Sequence, residues 1–279
     1  MKNFDVRYAV HPEHGKVFDT SDLRKHFLIE DMFVPGEIHL TYSHVDRIIA
    51  GGAVPVKEAL TLESGSALGV DHFFERREAG IINIGGPGKV VTATESFTLG
   101  TRDCVYIGAG TQGVKLESES EKNPANFYIN SAPAHRTYPS KLITLADSRK
   151  VELGSKEESN ERTINQFIHP EVVDSCQLLM GMTLLKEGSM WNTMPPHTHD
   201  RRMEVYLYFN MSDDARVFHF IGEPDETRHI IVKDKQALIM PSWSIHSGVG
   251  TGNYAFIWGM VGENKNFTDM DHITMDDLR

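Results

Sequence analysis

Apolar positions along this chain come in short bursts rich in Val, Ile, Phe and Tyr. GIINIGG, KVVTATESFTL, DCVYIGAG, VYLYFNM, RVFHFIG, HIIV, QALIM and YAFIWGMV are such bursts, separated by Gly, Pro, Asn and Asp. Runs of this length between turn formers predict strands, and their even spacing predicts an all-β sandwich or barrel. Helical patterning is sparse. SDLRKHFLIEDMF predicts a short helix with Ser21 as its cap, and ERTINQFIHPEVVDSCQ (161–177) predicts another.

The pattern also repeats. FERREAGIINI (74–84) lies in register with HDRRMEVYLYF (199–209), with an ERR triplet over a DRR triplet. This places His72 over His197, Phe74 over His199 and Ala79 over Glu204. VYIGAGTQG (105–113) lies over LIMPSWSIH (238–246), so Gly113 meets His246. A repeat of this length predicts two similar β-barrels, only the second of which has these polar residues. The weakly hydrophobic stretch ADSRKVELGSKEESNER (146–162) is the expected join, giving domains 1–145 and 146–279.

His197, His199 and Glu204 carry the candidate chemistry. Residues i and i+2 of a strand share a face, so His197 and His199 point the same way. Glu204 is an odd number of residues further on, and a turn at Asp200–Arg202 brings it back to the same side. Alternation then sets Tyr206 and Tyr208 on the face of Glu204. Two imidazoles and a carboxylate form a metal site that lacks one ligand. His246, at the end of PSWSIH, is the candidate fourth. His219, His229, His135 and His169 lie outside this spacing and are expected to be ordinary core or surface residues.

Composition narrows the partners. The 279 residues carry a formal net charge of -11, so neither a nucleic acid nor an anionic membrane is expected as partner. Cys104 and Cys176 are far apart and outside any Cys-x-x-Cys pair, which argues against a disulfide scaffold or zinc knuckle. The opening MKNFDVRYAVHPEHG has no apolar signal core, and a cytoplasmic location is expected. No dinucleotide fingerprint or phosphate-cradling loop is present.

The ligand order resembles the cupins, with their His-x-His-x3-4-Glu motif and later Pro-x-Gly-x-x-His motif. Here the second motif reads Pro241-Ser-Trp243-Ser-Ile-His246, with Trp243 where cupins often have Gly. The whole chain resembles the 5-keto-4-deoxyuronate isomerase family more specifically. YSHVDRIIAGG, LGVDHFFERREAGIINIGGPG, APAHRTYP, RRMEVYLYFNM, ETRHI, PSWSIHSGVGT and FIWGMVGEN carry that likeness, which extends to DMDHITMDDLR. The resemblance implies a bicupin fold, one Zn2+ per chain on His197, His199, Glu204 and His246, and a homohexamer. It also implies a keto-uronate substrate, isomerised from aldehyde to ketone during intracellular breakdown of pectin-derived uronates.

The chemistry then needs two further groups. Tyr206, Tyr208 and His219 are candidate acid–base groups for proton transfer through an enediolate, with a hydride shift as the other route. Arg162, Arg201 and Arg202 are candidate receptors for the substrate carboxylate. An iron or manganese cupin dioxygenase, and a non-catalytic uronate-binding bicupin, are the alternatives. Oxygen dependence and turnover separate them.

Overall fold

A computed structural model describes residues 4–279 of the chain. These fold as two compact units, one of residues 4–7, 31–149 and 167–180, the other of 8–30, 150–166 and 181–279. Neither unit is one continuous stretch of chain. The segment 8–30 belongs to the second and 167–180 to the first.

Each unit is built on a seven-stranded and a four-stranded sheet. The first seven-stranded sheet runs in the order Phe4–Arg7, Ile38–Ser43, Ile49–Ala53, Phe127–Pro133, Arg77–Asn83, Cys104–Ile107, Lys141–Ile143. The second runs Arg149–Leu153, Arg162–Ile168, Leu179–Leu185, Ala255–Gly262, Arg202–Phe209, Gln236–Met240, Leu28–Ile29. The connectivity repeats over the first six strands; the seventh differs, since Lys141–Ile143 follows the other strands of its sheet in the chain and Leu28–Ile29 precedes those of its own. The four-stranded sheets repeat likewise, as Leu60–Thr61, Lys115–Ser118, Gly88–Val91, Ser96–Leu99 and as Trp191–Asn192, Ser247–Gly250, Val217–Glu223, Glu226–Val232. The sheets are open, with strands at their edges, so the expected barrels are sandwiches of the jelly-roll kind. The chain is all-β, with short helices as expected.

The register of the repeat is visible in the ladders. Ala79 pairs with Ile107 and Ser131, and Glu204 pairs with Met240 and Met260. These are the partners that the alignments of 79 on 204 and 107 on 240 require. Inside the first unit the equivalent positions are apolar. Phe74, Ala79, Ile81, Val105, Ile107 and Phe127 are among the side chains of one buried cluster. The other face of Arg77–Asn83 is covered too: a Cβ on Gly80 would lie 2.5 Å from Ile168 Cδ1 and Met180 Sδ. Both faces of this strand are therefore buried, which explains its lack of hydrophobic–polar alternation.

Two local expectations are corrected. The helix is Thr20–Phe27 and its cap is Asp19, whose side chain accepts from Asp22 N at 2.9 Å. Ser21 lies inside the first turn. Within 161–177 there is a strand, Arg162–Ile168, and no helix. Thr163, Ile164, Phe167 and Ile168 suit a pleated, buried surface, and Pro170 follows soon after.

Candidate metal centre

Local chain geometry brings the polar residues together. His197 and Thr198 form a short strand, a turn closes with Arg202 N donating to His199 O at 2.9 Å, and Arg202–Phe209 begins at once. Glu204 therefore opens a central strand, between Met240 and Met260. His246 follows the turn after Gln236–Met240, where Ser244 N donates to Pro241 O. Trp243, in the place of the common glycine, points away to donate from Nε1 to Val10 O at 3.2 Å.

The four side chains are buried, and their donor atoms lie within 4.8 Å of one another. His197 Nε2 is 3.0 Å from both His199 Nε2 and His246 Nε2. Glu204 Oε2 is 3.2 Å from His199 Nε2 and 2.9 Å from His246 Nε2. Atoms bonded to one ion at ~2.0–2.1 Å, about 90–110° apart, are separated by about 2.8–3.4 Å. All four separations fall in that window. His199 Nδ1 lies 3.1 Å from the carbonyl oxygen of Asp269, which can only accept. The proton is therefore on Nδ1, and Nε2 turns a lone pair to the other three donors. Arg202 donates to the same carbonyl, and its 3.2 Å approach to Nδ1 is that of two donors sharing one acceptor. The donor set fits a divalent ion.

Electrostatics agree with a neutral His197 imidazole beside an anion. Burial, then His246 and His199, hold His197 down to about 2. Burial alone would raise the Glu204 carboxyl, but His246 and His199 beside it outweigh that and keep it ionised. Neutral nitrogen lone pairs and a carboxylate are the forms that bind metal.

A cavity of about 240 Å³ opens onto His197, His199 and Glu204. Ile164, Phe256, Trp258, Met260, Phe267 and Met270 give it an apolar wall. Arg162 is the one arginine or lysine in its lining, and Tyr206, Thr183, Thr193 and His272 supply other polar groups. The segment 264–272 is fastened over this end. Asp271–His272 pairs with His197–Thr198, and Arg201 pairs with Asp269 (2.6 Å) and Asp271 (2.8 Å).

A family model matches residues 29–275, that of the KduI/IolB family. The chain belongs to the KduI/IolB family. Curated relatives cover nearly the whole of it. A protein of Halalkalibacterium halodurans is 57% identical over 98% of this chain and 99% of its own. One of Burkholderia cenocepacia is 56% identical over 99% of this chain and 100% of its own. Both are named 4-deoxy-L-threo-5-hexosulose-uronate ketol-isomerase. Among solved structures, an IolB-like protein from Salmonella typhimurium aligns with TM-score 0.72 and 16% identity over 89% of this chain and 97% of that one. Oxalate decarboxylase of Bacillus subtilis aligns with TM-score 0.53 and 10% identity, over 79% and 70%. These two likenesses concern the fold.

In this KduI/IolB member the expected site residues separate clearly. Tyr206 lines the cavity; Tyr208 and His219 lie outside its lining. Tyr208 Oη is 2.8 Å from His219 Nδ1, and His219 Nε2 is buried with no hydrogen-bond partner among the described residues. Burial, then His246, lowers His219 to about 3. Arg162 lines the cavity, with NH1 donating to Asn160 O at 2.8 Å. Arg201 is spent on the two aspartates. Arg202 is 1% exposed and donates to the carbonyls of Asn266 and Asp269. His272, Phe267 and Met270 were not foreseen. They lie in a stretch with no strand or helix period, and its ladder with His197–Thr198, together with its bonds to Arg201 and Arg202, brings them to the cavity.

Proposed function

We propose that this chain is a zinc-dependent ketol-isomerase acting on 4-deoxy-L-threo-5-hexosulose uronate, the substrate in the names of its relatives. The product is 3-deoxy-D-glycero-2,5-hexodiulosonate, and the setting is cytoplasmic pectin and uronate breakdown by a homohexamer. One observation carries the reading: a single cavity is lined by members of a metal-ligating cluster, by a buried phenol and, among the described residues, by one guanidinium, that of Arg162. Those are the parts needed to grip an aldehyde and its neighbouring hydroxyl at one end and a carboxylate elsewhere.

His197, His199, Glu204 and His246 would hold the Zn2+, one per chain. The bound ion would act as a Lewis acid on the carbonyl and hydroxyl oxygens. Arg162 receives the carboxylate; burial pulls its guanidinium down from its usual value but leaves it charged. Tyr206 is held as a neutral phenol by burial and by the charge of Glu204. It therefore acts through its O–H, giving a proton to one substrate oxygen and recovering it from the other. The hydrogen of the hydroxyl-bearing carbon passes to the former aldehyde carbon, either as a proton taken up and returned by a base while its electron pair stays in the enediolate, or directly as hydride. The apolar wall keeps bulk water from the reacting carbons.

No helix among the described residues is long and apolar enough to cross a membrane. The metal is tested by elemental analysis with a turnover assay. One divalent ion per chain is expected, with activity lost on chelation and restored by zinc. Two ions per chain, or full activity in metal-free protein, would contradict the assignment.

A further inference from the structure

Thr183 is the only polar side chain of the strand Leu179–Leu185. It is 1% exposed and lines the cavity, and its hydroxyl has no hydrogen-bond partner among the described residues. A buried hydroxyl without a partner is destabilising, and valine would suit a strand equally well without that cost. The floor of the cavity is one face of the sheet. Arg162 stands on Arg162–Ile168, Thr183 on the next strand, Trp258 on the one after, and Glu204 on the fourth. The strands of Arg162 and Glu204 are thus three spacings apart, about 14 Å. Between them the Trp258 indole covers Gly181, where a Cβ would come within 2.2 Å of its Cζ2. Phe267 packs on the same indole, with ring centroids 5.4 Å apart.

We propose that Thr183 and Arg162 form a subsite for a 2-oxo acid: Thr183 Oγ1 donates to the ketone oxygen while Arg162 holds the neighbouring carboxylate. This rests on the proposed keto-uronate substrate, whose name sets a ketone at carbon 5 beside the carboxylate at carbon 6 and leaves carbon 4 without oxygen. With its carboxylate on Arg162 and its aldehyde end at the metal ligands, the substrate lies across the strands between them. The groups it passes come in matching order. The strand next to Arg162 offers the Thr183 hydroxyl to the ketone, and the following strand offers the Trp258 indole to the bare methylene. The fourth strand brings Glu204 and Tyr206 to the oxygen-bearing carbons. A ketone oxygen only accepts, and a threonine hydroxyl has a proton to donate. An analogue without the ketone leaves that hydroxyl buried and unpaired, so it binds less well.

2-Oxohexanoate and hexanoate differ only in that ketone, and neither has an aldehyde to isomerise. Their dissociation constants, measured by ligand-observed NMR on the zinc-loaded protein, should favour the 2-oxo acid by about 3–10-fold, the worth of one net hydrogen bond. Thr183→Val keeps the branched shape and should abolish this preference with zinc content unchanged. Thr183→Ser keeps the hydroxyl and should retain the preference. KM for the keto-uronate should rise in Thr183→Val by the same factor as the lost preference. Chelation of zinc by the 2-oxo acid would also give the parent a preference, but one that survives in Thr183→Val. A surviving preference, equal affinities in the parent, or a preference lost in Thr183→Ser as well would overturn the assignment. A preference that depends on the Thr183 hydroxyl, in a protein that fails to isomerise the keto-uronate, would uphold the 2-oxo acid subsite and overturn the isomerase reading instead.

Discussion

Three arginines next to or near the cluster are chemically alike, and only their partners tell them apart. Arg201 is engaged by Asp269 and Asp271, and Arg202 by main-chain carbonyls, while Arg162 lines the cavity with NH1 held by Asn160 O. Sequence offers no such distinction, because the partners of Arg201 and Arg202 lie over sixty residues downstream. The metal cluster was more legible. His-x-His fixes a shared strand face by alternation alone, and Glu204 needs only a turn. Arg162→Gln is expected to raise KM for the keto-uronate and lower kcat/KM by about 10–100-fold, the loss of a charge-assisted hydrogen bond of about 1.5–3 kcal/mol. Metal content should not change. Steady-state kinetics with elemental analysis checks this; an unaltered KM would remove Arg162 from the carboxylate site.

At the level of elements, the paired ERR and DRR triplets mark a structural device. Arg77 and Arg202 are equivalent in the repeat, and both are buried. Arg77 donates to Ser131 Oγ (3.0 Å), Ser131 O (2.8 Å) and Arg47 O (2.6 Å). Like Arg202, it ties a loop carbonyl, that of Arg47, to the start of a central strand, and it also holds Ser131 on the neighbouring strand. The strands were readable because apolar bursts and turn residues are local signals. The segment 264–272 was not, since charge pairs and one two-residue ladder hold it in place. Arg77→Met should lower stability by about 1–3 kcal/mol, through carbonyls left without their donor. Thermal melting would show a fall of several degrees, with zinc content unchanged. An equal or higher melting temperature would mean that desolvating the guanidinium costs more than its hydrogen bonds return.

For the whole molecule, the buried histidines set an acid limit. His197 and His219 are held down to about 2 and about 3 in the fold, and an unfolded histidine titrates near 6.5. Between those values the unfolded chain binds protons that the folded chain refuses, so stability falls as pH falls. Each pH unit inside the window costs about 1.4 kcal/mol per histidine. Metal-free protein should therefore unfold at lower urea concentration at pH 5 than at pH 7.5. Using metal-free protein removes proton–metal competition, which acts in the same direction. An equal or higher midpoint at pH 5 would show that these rings are protonated in the fold.

The most direct measurement is a proton NMR time course of the zinc-loaded enzyme with 4-deoxy-L-threo-5-hexosulose uronate, without oxygen and in deuterated water. Isomerisation predicts loss of the aldehyde signal, growth of a hydroxymethyl signal from the former aldehyde carbon, and deuterium at that carbon through the proton-transfer route. Conversion without deuterium there would favour a hydride shift or a shielded base and leave the isomerase intact. No conversion, with the substrate bound but unchanged or consumed only when oxygen is admitted, would contradict the account.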